Sequence, residues 1–192
     1  MKIGLFFGSF NPVHSGHLMI ANYLVEHSQL EELWMVVTPH NPHKNRATLA
    51  DDFDRLSLVE IATRQQPNIK ACDIEFLLPK PSYTIDTLVY LQEKYPEHEF
   101  VLIIGGDNLA SFPKWKNYEI ILRDFELLVY KRPDYELGEL QHHPKVTLVD
   151  APMMQISSSF IRKLIREKKS IAYWVPATVQ EEIERSGLYA SI

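Results

Sequence analysis

The chain has 192 residues, of which 45% are hydrophobic and 23% charged, and its formal net charge at pH 7 is −5. These values predict one globular domain over residues 1–192 with a sizeable core, and the negative charge argues against nucleic-acid binding. A single cysteine, Cys72, excludes an intramolecular disulfide and a cysteine-based zinc site, so we expect a buried, inert thiol. The sequence has no run of eighteen consecutive apolar residues, so a membrane span is not expected. The first ten residues lack the features of a signal peptide. We therefore expect a cytoplasmic protein.

Short, near-continuous apolar runs alternate with segments of helical periodicity along the chain. In order, the sequence predicts a strand at 3–7, a helix at 15–28, a strand at 33–37, helices at 51–66 and 82–95, a strand at 100–104, a helix at 117–124, strands at 125–130 and 145–150, and helices at 157–169 and 176–187. Phe53 and Val89 are expected on buried helix faces. Continuous apolar strands are typical of a parallel sheet covered on both faces. We therefore predict an α/β fold, a Rossmann-like, doubly wound parallel sheet that binds ligands outside the carboxyl ends of its strands.

The segment GSFNPVHSGH, residues 8–17, joins the first strand to the first helix. Gly8 allows a sharp turn and a close approach of ligand to backbone, and Ser15 or a neighbour is the predicted N-cap. The N–H groups of the helix start favour an anion, and His14 and His17 could donate to phosphate oxygens from one helix face. The segment matches neither a Walker loop nor a dinucleotide fingerprint. Two alternatives remain: the imidazoles could instead hydrogen-bond to backbone carbonyls, or they could bind a metal ion.

A second candidate anion site is ISSSFIR, residues 156–162. Its serines, Ser158 among them, suit a helix start, and Arg162 lies one turn further on, where its forked guanidinium could bind phosphate. Taken alone, the same residues would also suit a capped surface helix with a solvated charged face.

Together, the HxGH pattern at residues 14–17 and ISSSFIR resemble the two signatures of the nucleotidylyltransferase superfamily. Within it, the chain is similar to the bacterial nicotinate mononucleotide adenylyltransferases over nearly its full length, also through PHNPHK (39–44), PSYTIDTL (81–88) and GGDNLASFPKW (105–115). The resemblance implies adenylyl transfer from ATP to nicotinate mononucleotide, which gives nicotinate adenine dinucleotide and pyrophosphate in NAD biosynthesis.

The resemblance also implies site residues. The predicted catalytic residues are His14, His17 and Arg162. The predicted ATP-binding residues are Gly8, Ser9, Phe10, His14, His17, Gly105, Gly106, Asp107, Ser158 and Arg162, and the predicted acceptor-binding residues are Lys44, Tyr83, Thr84 and Trp115. Mg²⁺ is expected to arrive with ATP, held by phosphate and water rather than by protein ligands.

The residues themselves support parts of this assignment. Paired glycines followed by Asp107 suit a ribose, Trp115 between two lysines could stack on a cationic pyridine ring, and Thr84 opens a helix that could receive a carboxylate. Lys44, with His40 or His43, could meet a phosphate. The alternatives are a capped turn, a packing tryptophan and a basic surface loop.

The expected partners are ATP and nicotinate mononucleotide, with no nucleic acid and no membrane, and a homo-oligomer is left open by the sequence. Other acceptors also stay open: nicotinamide mononucleotide, phosphopantetheine or, with CTP, an alcohol. A nucleotide sensor without catalysis is the alternative of a different class.

Overall fold

The computed structural model of the chain describes residues 1–39, 48–131 and 136–191. These residues form a parallel sheet of six strands in the order β3-β2-β1-β4-β5-β6. The strands are β1 (Lys2–Gly8), β2 (Glu32–Val37), β3 (Ile69–Cys72), β4 (Glu99–Gly105), β5 (Glu126–Tyr130) and β6 (Val146–Val149). The predicted doubly wound, Rossmann-like sheet is confirmed.

Helices cover both faces of the sheet. They are α1 (Ser15–His27), α2 (Asp52–Thr63), α3 (Thr84–Lys94), α4 (Gly106–Ser111), α5 (Tyr118–Asp124), α6 (Ser158–Arg166) and α7 (Ala177–Ser186), with short 3-10 turns at Ile74–Phe76, Phe112–Lys114 and Glu139–His142. Apolar residues of α1, α2, α6 and α7 fill the core on one face, and those of α3, α4 and α5 fill the core on the other. In the described part of the chain, no helix is long and apolar enough to cross a membrane.

The winding of the sheet reverses between β1 and β4, which are hydrogen-bonded neighbours at its centre. Because all strands are parallel, the loops that follow them emerge at one edge, and the loops after β1 and β4 separate there to opposite faces. This reversal creates a crevice outside the carboxyl ends of the strands.

Two elements were missed, and one residue on each of two predicted helix faces is exposed. β3 is a four-residue edge strand of mixed composition, and α4 is six residues that begin with a glycine, so neither shows a periodic pattern. Phe53 is 69% exposed and Val89 is 40% exposed, against the prediction. The buried face of α2 is centred on Arg55 and Leu58 instead, because that arginine side chain finds hydrogen-bond partners inside the protein.

Candidate nucleotide-binding cleft

A cleft of about 800 Å³ lies at the carboxyl end of β1, where the sheet reverses. Three elements contribute most of its lining: the end of β1 with the turn after it, the start of α1, and the start of α6. The lining includes seven of the predicted ATP-binding residues, which are Gly8, Ser9, Phe10, His14, His17, Ser158 and Arg162. Residues 140 or more positions apart in sequence therefore meet at one site.

The two histidines cap the start of α1 reciprocally. His14 is the N-cap residue, and its Nδ1 accepts a hydrogen bond from the backbone N–H of His17 at 3.4 Å. His17 Nδ1 accepts from the backbone N–H of His14 at 3.3 Å, and the two rings stack with centroids 3.6 Å apart. Because each Nδ1 is an acceptor, the neutral imidazole carries its proton on Nε2, which makes Nε2 the donor toward a ligand.

The N-cap is His14, the neighbour of Ser15, as the prediction of Ser15 or a neighbour allows. The hydroxyl of Ser15 donates to the carbonyl oxygen of Tyr173 at 3.0 Å, and its backbone N–H donates to the carbonyl of Trp174 at 2.9 Å. Serine is a common N-cap and histidine is not, so composition alone does not choose His14 over Ser15. The serine instead attaches the start of α1 to a segment near the end of the chain.

The glycines of this segment make room for rings. A Cβ on Gly16 would lie 3.2 Å from His14 Nδ1, and a Cβ on Gly8 would lie 2.7 Å from the ring of Phe10. The first contact is tighter than packed atoms normally allow, and the second would force the ring to move. The glycine between the two histidines therefore permits their stacking.

The second motif is joined to the first by side-chain hydrogen bonds. Ser157 caps α6 by accepting from the backbone N–H of Phe160 at 3.2 Å, as its composition predicts. The hydroxyl of Ser158 donates to the carbonyl of Pro12 at 2.9 Å, and Arg162 Nη1 donates to the carbonyl of Asn11 at 2.7 Å. The hydroxyl of Ser158 is thus used within the protein, and its contribution to a ligand would come from the backbone N–H of the α6 start.

The electrostatics of the cleft favour an anion. The first turns of α1 and α6 carry no acidic side chain, whereas those of α2, α3 and α5 do. The positive ends of the two helix dipoles therefore remain uncompensated at the cleft. Burial lowers the pKa of Arg162 from its ordinary value, although the guanidinium stays charged near neutral pH.

Two side chains that sequence reasoning missed hold the loops around the cleft. The Asn11 amide donates to the carbonyl of Thr48 at 2.7 Å and accepts from the backbone N–H of Ala50 at 3.1 Å. Arg55 is fully buried, and its guanidinium donates to the carbonyls of Ser9, Thr38 and Ala50 and pairs with Asp52. The turn after β1, the end of β2 and the start of α2 are thereby fastened to one another.

The predicted ribose-binding residues lie beside the cleft rather than in its lining. Gly105 ends β4, and Gly106 and Asp107 open α4, so the predicted turn is the start of a short helix. The cleft is lined at this point by the next residue, Asn108, which the sequence did not single out.

Three of the predicted acceptor residues, Tyr83, Thr84 and Trp115, lie outside the lining of the cleft. Lys116 Nζ lies 4.5 Å from the centre of the Tyr83 ring and 2.9 Å from an oxygen of Asp86, which joins the Trp115 segment to the first turn of α3. Trp115 is half-buried, with its ring centroid 5.0 Å from that of Phe112. Thr84 is the first residue of α3. Lys44, with His40 and His43, lies outside the described residues.

Within residues 1–39, 48–131 and 136–191, no group of three or more His, Cys, Asp or Glu side chains could hold a metal ion. A protein-held metal therefore has no ligand set in that part of the chain. A Mg²⁺ bound by phosphate oxygens and water would need no such set.

The cleft at the reversal of the sheet, with two helix starts and an HxGH pair in its lining, is the arrangement expected of a nucleotidyltransferase. A family model described as cytidylyltransferase-like matches residues 5–164. A probable nicotinate-nucleotide adenylyltransferase of Flavobacterium johnsoniae is 52% identical to the chain, with 98% of this chain and 99% of the relative covered. A protein of the same name from Cytophaga hutchinsonii is 51% identical, with both chains covered completely.

A solved structure agrees with the fold. The nicotinic acid mononucleotide adenylyltransferase of Plasmodium falciparum, complexed with NaAD, superposes with a TM-score of 0.82 at 21% identity and covers 100% of this chain and 98% of its own. The chain belongs to the cytidylyltransferase-like family and, within it, to the nicotinate-nucleotide adenylyltransferases. The resemblance predicted from the two motifs is confirmed.

Proposed function

We propose that the chain transfers the adenylyl group of ATP to the phosphate of nicotinate mononucleotide, in the biosynthesis of NAD. An oxygen of the acceptor phosphate attacks the α-phosphorus of ATP, the bond from that phosphorus to the bridging oxygen breaks, and pyrophosphate leaves with the electron pair. The observation that carries the proposal is the convergence of two helix starts without acidic side chains on one cleft that also holds the stacked HxGH histidines. The names of the full-length relatives supply the acceptor.

The reaction needs no strong general base, because a phosphate nucleophile is already ionised at neutral pH. Catalysis then depends on positioning and on stabilising charge in the transition state. The Nε2–H groups of His14 and His17 would donate to oxygens of the α-phosphate. The α6 start and the free donors of Arg162 would bind the leaving pyrophosphate. Mg²⁺ accompanying ATP would neutralise the triphosphate through phosphate oxygens and water.

The acceptor would bind at the group formed by Tyr83, Thr84 and Trp115. The start of α3 offers N–H groups to the nicotinate carboxylate, and the face of Trp115 offers a surface for the cationic pyridine ring. Lys44 is assigned to a phosphate by the sequence alone. The cytoplasmic location and the single domain over residues 1–192 also stay predictions.

Pyrophosphate release from ATP tests the proposal, with nicotinate mononucleotide and nicotinamide mononucleotide as rival acceptors. His17→Ala removes one donor to the transition state, so kcat should fall about a hundredfold or more. The matched control is His27→Ala, at the other end of α1, where the imidazole is exposed and lies against Tyr23. Trp115→Ala should raise KM for the acceptor more than it lowers kcat. Wild-type-like kinetics in His17→Ala would exclude the mechanism, and faster turnover of the amide would correct the acceptor.

A further inference from the structure

Glu75 is a buried carboxyl group that the proposed reaction does not use. It lies in the 3-10 turn Ile74–Phe76 between β3 and α3, and only 3% of its surface is exposed. Its Oε1 accepts a hydrogen bond of 2.9 Å from the hydroxyl of Thr87, which is itself fully buried, and the side chain of Ser82 provides a second hydrogen bond. Carboxyl groups are rarely buried, and those that are buried have hydrogen-bond partners. The partners of Glu75 therefore indicate what it does.

The partners of Glu75 lie on either side of the first turn of α3. Ser82 directly precedes the N-cap residue Tyr83, and Thr87 lies one turn into the helix. Tyr83 makes no side-chain capping bond, while its carbonyl accepts from the backbone N–H groups of Asp86 and Thr87 at 2.9 and 3.2 Å. The orientation of this helix start is therefore fixed by the hydrogen bonds of Glu75 to Ser82 and Thr87 rather than by an N-cap side chain.

We propose that Glu75 is a positioning residue that sets the preference for the acid acceptor, because it holds the first turn of α3 where its N–H groups meet the nicotinate carboxylate. The inference rests on the proposed function and on the placement of the acceptor at this helix. A fixed set of N–H donors suits a carboxylate, which only accepts hydrogen bonds. The amide brings donors of its own, which would face other donors.

The charge of Glu75 has to be compatible with an anion nearby. Burial raises the pKa of the Glu75 carboxyl above its ordinary value, so the group stays neutral up to a higher pH than an exposed glutamate does. The only other acidic group of this turn, Asp86, is paired with Lys116 at 2.9 Å. The amide Glu75→Gln keeps a carbonyl acceptor for Thr87 and should therefore retain the function, whereas Glu75→Leu removes every acceptor at similar size.

The experiment measures kcat and KM for nicotinate mononucleotide, nicotinamide mononucleotide and ATP. In Glu75→Leu, KM for the acid should rise about tenfold, with kcat and KM for ATP within about threefold. The ratio of kcat/KM for the acid to kcat/KM for the amide should then fall about tenfold. Glu75→Gln should stay within about threefold of wild type. Thr87→Val should shift the ratio in the same direction as Glu75→Leu. Its matched control is Thr63→Val, which removes a buried hydroxyl bonded to Val59 on α2 at 2.9 Å and should leave all constants unchanged.

An unchanged ratio in a folded Glu75→Leu overturns the proposal, as does a loss in Glu75→Gln equal to that in Glu75→Leu. If Glu75→Leu does not fold, Thr87→Val decides, and an unchanged ratio there overturns it. A parallel fall of kcat with every acceptor indicates general damage and also counts against positioning. If the wild type releases pyrophosphate with neither acceptor, both the proposed function and this inference fail, whereas an active wild type with insensitive variants refutes Glu75 alone.

Discussion

Replacement of Arg55 by methionine should destabilise the protein strongly, because this guanidinium is fully buried and joins three segments of backbone. Methionine fills similar space but donates no hydrogen bond. The carbonyl groups of Ser9, Thr38 and Ala50 would then lose a charged donor; the bond to Ala50 is buried and the other two are partly buried. The cost should therefore arise from the loops around the cleft rather than from a loss of core volume.

The magnitude follows from the partners that are left behind. Each buried acceptor without a partner costs about 1–3 kcal/mol, and removal of one member of a buried charged network typically costs about 3–5 kcal/mol in total, since such losses do not add fully. Asp52 adds little, because it is partly exposed and also pairs with Lys80 at 3.2 Å. We expect a loss of about 3–5 kcal/mol in the free energy of unfolding. For a chain of this size, that corresponds to a fall in Tm of about 6–20 °C.

Urea denaturation followed by circular dichroism measures the loss. Arg64→Met is the matched control, because Arg64 is exposed at the carboxyl end of the same helix, and its change should stay within about 0.5 kcal/mol. Arg55→Lys, which keeps the charge without the fork, should fall between the two. A loss below about 1 kcal/mol in Arg55→Met, or one equal to that in Arg64→Met, would refute the assignment of the buried hydrogen bonds.

Further predictions separate site from scaffold. Gly16→Ala should lower kcat/KM about tenfold with little change in Tm, because the added methyl displaces the His14 ring. Gly187→Ala should do the reverse, with unchanged kinetics and a loss of about 1 kcal/mol, since Gly187 ends α7 at φ 70°. Burial raises the pKa of the Cys72 thiol to about 11, so alkylation by iodoacetamide should be slow at pH 8 and accelerate about tenfold per pH unit up to that value; rapid alkylation at pH 7 would contradict the burial. EDTA should stop pyrophosphate release yet leave the Tm of the ligand-free protein unchanged, and a fall in Tm would indicate a metal held by the protein.

The sequence predicted the sheet well because strands buried on both faces are apolar throughout. The four inner strands carry this signal. The two edge strands are four residues long and mostly half-buried: β6 shows only a weaker apolar run, and β3 shows none. The chemistry-bearing motifs were also visible, since His14, His17, Ser158 and Arg162 occupy two short segments. Their meeting in one cleft follows from the winding of the sheet, which places both segments at the same edge.

The supporting residues could not be found in this way. Arg55 bonds to a carbonyl 46 residues away in sequence, and the Asn11 amide bonds to one 37 residues away. A local pattern assigns an arginine on an amphipathic helix to the exposed face, because charged side chains are rarely buried. Glu75 was missed for the same reason, since its partners come from the next helix. Such residues follow from tertiary contacts, which periodicity and composition do not record.

The tie between Arg162 and the carbonyl of Asn11 spans 151 residues of sequence, and this separation has a consequence during synthesis. The HxGH segment leaves the ribosome well before its partners in α6 and in the segment around Tyr173. At about 5–20 residues per second, the first half of the proposed phosphate site is synthesised about 8–30 s before the second. For roughly the first two-thirds of that time, the apolar strand β1 also lacks β4, its central neighbour in the sheet. A nascent chain therefore cannot complete the proposed phosphate site until α6 has been synthesised.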